Sequence, residues 1–197
     1  MPEILPTWYE VILWEWEILE LISFEVIIGE KKKMFERARR PPGVRVIIVR
    51  EWEILLSREY RREQGKYDYR LPWGKVMDSI REMRSFRWDI LRLARSAAIK
   101  EAREETGVII ENPELIHISH CGANVEWDLY YYLATEFEET DKHERDDEGE
   151  SDMTIAWYSF DEVKAMIMSD EMSEDRSIAV LLKWMMKEEN LTQFLIW

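Results

Sequence analysis

The chain has 197 residues, 41 of them acidic and 27 basic, which leaves a formal net charge of −14; that balance excludes a general nucleic-acid binder, which needs a cationic face. With 46% hydrophobic and 12% aromatic residues it can bury a substantial core, so disorder is excluded as the default state. Its one cysteine, Cys121, can form neither an intrachain disulfide nor a thiolate zinc site, and the expected compartment is a reducing one, the cytoplasm.

The start, Met1-Pro2-Glu3-Ile4-Leu5-Pro6, lacks a basic segment and a small-residue cleavage site, so no secretory signal is expected. Residues Trp8 to Ile28 are apolar, but Glu10, Glu15, Glu17, Glu20 and Glu25 interrupt them. Each acid costs on the order of 2.5–3.5 kcal/mol at a bilayer centre, which argues against a membrane span. Trp14 to Ile18 and Phe24 to Val26 alternate apolar and charged, the period of half-buried strands, with Met34 to Arg37 as a returning strand. Residues 1–40 are therefore expected to form a small β-rich N-terminal layer whose aromatics need a cover.

Pro41-Pro42-Gly43 marks a boundary, and residues 41–197 are expected to form the main domain. Val44 to Val49 reads as a buried strand and Trp52 to Ser57 as a second, followed by a polar loop through Gly65. A long helix is expected from about Ser79 to Thr106, stopped by Gly107. Leu115 to His120 and Asp128 to Ala134 read as a hairpin around Gly122-Ala123-Asn124. Glu136 to Asp152 is too charged for a core and reads as a loop. Thr154 to Tyr158 reads as a strand, Phe160 to Ile167 as a short helix and Asp175 to Lys187 as a terminal one.

The chemistry concentrates at Glu101, Glu104 and Glu105, which stand at i, i+3 and i+4 on one helix face within about 6 Å of axial rise. Clustered like charges repel unless solvated or neutralised by hard divalent cations, whose preferred ligands are carboxylate oxygens. Taken alone, such a face is what a solvated helix surface looks like. Its surroundings make it a motif.

Lys100-Glu101-Ala102-Arg103-Glu104-Glu105-Thr106-Gly107-Val108 resembles the second half of the Nudix box, with Lys in place of Arg, and Leu71-Pro72-Trp73-Gly74-Lys75-Val76 resembles its opening. The resemblance implies a Nudix α/β/α sandwich with a mixed sheet and Mg²⁺-dependent hydrolysis, with Mn²⁺ as the alternative metal. It implies Glu101, Glu104, Glu105 and the Gly74 carbonyl as metal ligands, and Glu104 and Glu105 as catalytic. The spacing from Gly74 to Lys100 is 100 − 74 = 26 residues, about twelve more than the family's, which points to a helical insertion at about 79–92. The box's first Glu position holds Arg92, so Lys100 must find another acid, Asp89 or Asp78.

Phe35 to Val44, Leu55-Leu56-Ser57-Arg58-Glu59-Tyr60-Arg61 and Trp157 to Val163 resemble the ADP-ribose pyrophosphatase branch of that family. This implies a homodimer formed through the N-terminal layer, a nucleotide sugar as substrate, and ADP-ribose split into AMP and ribose 5-phosphate. It further implies a catalytic carboxylate in the acidic loop, Glu150 before Glu148 and Asp152. Arg58 and Arg61 read equally as bidentate phosphate contacts or as surface salt-bridge residues, and Lys75 reads as a further substrate-binding cation. Other nucleotides (a nucleoside triphosphate, a dinucleoside polyphosphate, a capped RNA end) and a catalytically silent binding module remain open at this point. The interleaved arginines and apolar residues of 81–95 read first as a packing helix and second as a lid.

Overall fold

The computed structural model describes residues 4–87, 89–140 and 153–195, with backbone alone for 4–9 and 191–195. Three antiparallel strands come first: β1 (Ile4–Glu15), β2 (Glu20–Ile28) and β3 (Lys31–Arg39). Gly29 makes the second turn with φ at +63°, a conformation that favours glycine. Trp16, Glu17 and Ile18, expected within a strand, form the first turn, which the Trp16 N–H closes onto the Leu19 carbonyl at 2.7 Å. Five alternating residues fit a strand end followed by a tight turn as well as they fit a strand, and the closing hydrogen bond decides.

Gly43–Arg50 form β4, Glu53–Arg61 β5, Lys66–Arg70 β6 and Trp73–Lys75 β7. The expected polar loop before Gly65 is a correction: β5 continues to Arg61 and pairs antiparallel with β6. Cross-strand contacts account for it, since the Tyr60 and Tyr67 rings meet edge to face at 5.3 Å and the Arg58 guanidinium lies 3.7 Å from the Tyr67 centroid.

The expected single helix over 79–106 is two: α1 (Ile80–Ser85), capped by Ser79, and α2 (Ile90–Thr106), capped by Asp89, whose side chain accepts from the Leu91 N–H. Phe86 between them is extended, and the two N-caps win over a continuous apolar pattern. Gly107 ends α2 with φ at +70°, its N–H on the Arg103 carbonyl, as its position led one to expect. Then follow β8 (Val108–Ile110), β9 (Glu114–Ser119), β10 (Val125–Glu126), β11 (Leu129–Ala134) and β12 (Phe137–Glu139). The chain continues with β13 (Thr154–Ser159), α3 (Phe160–Met168) and α4 (Asp175–Leu195), which is longer than expected.

The main sheet runs β13-β5-β4-β11-β9, with β11 parallel to β4 and antiparallel to β9, so it is mixed. Alternation along β4 and β11 sorts side chains to two layers. Val44, Val46, Ile48, Tyr130 and Tyr132 pack with Ala94, Ala98 and Ala102 of α2, while Ile47, Val49, Leu129 and Tyr131 pack with Val163 of α3 and Leu181 and Met185 of α4. The result is an α/β/α sandwich. The N-terminal sheet gains β10, which joins β3 in parallel. Among the described residues no helix is long and apolar enough to cross a membrane.

Candidate active site

The site begins with a close approach that only glycine permits. Gly74 on β7 is buried, and a Cβ there would sit 2.0 Å from Glu101 Cδ and 2.2 Å from its Oε1. β7 is held by pairing with the start of β4, with Gly74 opposite Val44, and by the Val76 N–H on the Pro42 carbonyl at 3.0 Å. α2 brings its carboxylates to that strand: Glu101 accepts from the Lys75 backbone N–H, and Glu105 Oε2 accepts from the Trp73 N–H at 2.8 Å. The small residues Ala94, Ala98 and Ala102 on the inner face of the helix let it lie this near the sheet.

Burial pushes the Glu101 carboxyl up to about 7; Glu104 and Asp78 add to the rise, while Lys100 and the Lys75 N–H oppose it. Lys100 pairs with Glu104 one turn on, at 3.3 Å, and the hydrogen bond to Glu104 raises its ammonium pKa above the ordinary lysine range. This corrects the expected pairing: Asp89 is occupied in capping α2, and Asp78 acts on Lys100 only as the weakest of the charges around it. An i,i+4 neighbour is nearer than either.

Among the described residues no three acids, histidines or cysteines converge as a ready-made metal cage. Two of the glutamates are instead turned onto backbone N–H groups of 73–75. The donor set still fits a hard divalent cation: clustered carboxylate oxygens on one helix face, one of them set against a β7 backbone that no Cβ shields.

Arg61 lies next to this loop, its guanidinium 5.9 Å from the Trp73 centroid and 2.8 Å from Glu59. Its Nε is buried without a hydrogen-bond partner among the described residues. Lys75 is exposed beside Gly74. Arg58 is drawn to Tyr67, and no described contact brings it to the carboxylates. Glu148, Glu150 and Asp152 lie outside the described residues.

One buried pair beside the site escaped the sequence reading. Arg45, 4% exposed on β4, bonds Glu174 through Nε at 2.8 Å and Nη2 at 2.6 Å, with its guanidinium 5.5 Å from the Trp73 centroid. Burial alone would raise the Glu174 pKa, but the Arg45 hydrogen bond and charge, helped by the Ser177 hydroxyl, hold it below the ordinary carboxylate range. A charge inside Val44-Arg45-Val46-Ile47 was the available signal. Its acid lies far along the chain, at no recognisable spacing.

Residues 39–180, more than half of the chain, match the family model for the NUDIX domain. The chain is also similar to the crystal structure of an ADP compounds hydrolase, with a TM-score of 0.65 and 15% identity over 93% of this chain and 95% of that one. That likeness is one of fold. No curated protein matches the sequence.

Proposed function

The chain belongs to the NUDIX family, whose hydrolases act on pyrophosphate bonds of nucleotide-linked small molecules with divalent cations, and from that premise we propose that its substrate is a nucleoside diphosphate linked to a sugar. ADP-ribose, split into AMP and ribose 5-phosphate, is the substrate we favour, with Mg²⁺ or alternatively Mn²⁺ as the metal. The observation that carries this reading is the contact of Gly74 with Glu101, which sets a carboxylate directly against the β7 backbone. The structural neighbour, an ADP compounds hydrolase, supports the choice of an ADP compound.

Glu101, Glu104, Glu105 and the Gly74 carbonyl would hold the cation. Bound there, it supplies neutralisation of diphosphate charge and a lowered pKa for water. The chain's own residues do the rest. The Trp73 and Lys75 N–H groups fix the rotamers of Glu105 and Glu101, so the carboxylates are placed before substrate arrives. Lys100 partly offsets the charge of Glu104. Arg61 and Lys75 stand beside the loop as cations for the phosphates, and Glu104, Glu105 and Glu150 are the candidates to take the proton from attacking water. In the overall reaction the water oxygen bonds to one phosphorus, the bridging P–O bond breaks, and two monophosphates leave.

Product analysis tests this. Purified chain with Mg²⁺ should convert ADP-ribose to AMP and ribose 5-phosphate in preference to nucleoside triphosphates and dinucleoside polyphosphates, and a chelator should abolish turnover. Absence of cleavage across that panel would contradict the proposal and favour a silent nucleotide-binding module.

A further inference from the structure

Of the three residues in β7, Gly74 carries no side chain and Lys75 is exposed, so Trp73 alone has a side chain half-buried against the protein. Its backbone is already in use, because the Trp73 N–H donates to Glu105 Oε2 at 2.8 Å. No role assigned so far uses its ring. Alternation along the strand puts that ring on the face opposite the Gly74–Glu101 contact, toward Arg45, the residue it pairs with on β4. The strand is thus held from both layers, by α2 through Gly74 and by the indole on the other side.

Two guanidiniums lie within cation–π reach of the ring, Arg45 at 5.5 Å and Arg61 at 5.9 Å from its centroid. Arg45 is a fixed post. Besides its two bonds to Glu174, its Nη1 donates to the Val44 carbonyl at 2.9 Å. Glu174 accepts the Ser177 hydroxyl at 2.6 Å, and that hydroxyl meets the Tyr131 hydroxyl at 3.2 Å, both residues being fully buried. The contacts therefore run without a break from the buried Tyr131 to the indole, and through the Trp73 backbone to a carboxylate of the candidate site.

β7 has little else to keep it in place, since its pairing with β4 covers only Gly43 to Arg45. A shift of so short a strand would carry the N–H away from Glu105 and free that side chain to rotate. An aliphatic residue at this position offers bulk but no π face for the guanidiniums, and alanine offers neither. Groups that orient a metal ligand from behind change metal affinity by about 10–100-fold when they are removed.

We propose that Trp73 is a positioning residue for the metal site, its ring anchored on Arg45 so that its N–H keeps Glu105 in the orientation a cation needs. This rests on the metal-dependent hydrolase reading, but its test needs no turnover. Full-length chain is titrated with Mn²⁺ by calorimetry in the absence of substrate, beside its thermal unfolding. Trp73→Ala should weaken Mn²⁺ binding by about tenfold or more, Trp73→Met should weaken it as well, and Trp73→Phe, which keeps a ring, should recover most of the loss. Should Trp73→Ala fail to fold, Trp73→Met carries the test. Parental Mn²⁺ affinity in the Ala and Met variants, with a lowered melting temperature as the only change, overturns the positioning role; so does a Phe variant that binds no better than Ala. A parent that binds Mn²⁺ but cleaves no nucleotide contradicts the hydrolase reading alone and leaves the positioning role standing, whereas a parent that binds no Mn²⁺ sinks both.

Discussion

Gly74 has no room for a side chain, because the space for its Cβ is filled by Glu101. Gly74→Ala must push that carboxylate off the β7 backbone; since a displacement of about 1 Å can cost about 100-fold in rate, turnover should fall by that order while far-ultraviolet circular dichroism stays parental. Unchanged kcat/KM would contradict the geometry. Arg45 and Glu174 govern stability instead. Glu174→Ala strands a buried guanidinium and should cost about 3–5 kcal/mol in urea denaturation. Because the folded-state pKa of Glu174 is depressed, its contribution is full above the ordinary carboxylate range and is lost as pH falls through the depressed value. The stability gap between parent and Glu174→Ala should therefore close on acidification below about pH 4. The three glutamates stand out in the sequence because their spacing is local, and Gly74 because the short Leu71-Pro72-Trp73-Gly74-Lys75 motif surrounds it; the Arg45–Glu174 pair does not, because folding alone brings it together.

At the scale of elements, the insertion is a strut. Arg84 of α1 bonds Glu15 and the fully buried Glu20 of the N-terminal sheet, and the Ile80 N–H reaches the Glu17 carbonyl at 2.8 Å. Arg39 on β3 shares Glu20 at 3.2 Å and also binds Glu10 at 2.7 Å. Arg84→Ala should release α1 from that sheet, seen as faster amide exchange in α1 and β2 with α2 protection unchanged; uniform protection would refute the strut. Periodicity located this helical region but joined its two parts, because Met83, Phe86 and Ile90 keep an apolar rhythm across an extended residue. The caps Ser79 and Asp89 were the readable sign of two starts. The β5–β6 hairpin was hidden for the opposite reason: its strands are held by tyrosines and an arginine amid charges that read as loop.

For the whole molecule, the α/β/α arrangement followed from alternation in β4 and β11, which a linear pattern displays directly. What covers the N-terminal sheet is not displayed. Trp14 and Met34 are 58% and 62% exposed, and their partners across the strands, Leu21 and Glu25, set them on one face. Such a patch marks an interaction surface, and we propose a second copy of the chain as its cover. Sedimentation should then give a dimer, and Trp14→Glu with Met34→Glu a folded monomer; a monomeric parent would contradict this. The central claim is that the carboxylate face of α2 serves metal-dependent hydrolysis. Turnover of ADP-ribose with Mg²⁺ by the Glu104→Gln, Glu105→Gln double variant, set beside its thermal unfolding, tests it most directly. The account predicts cleavage by the parent and none by the variant at a parental melting temperature; full activity in the variant would contradict it.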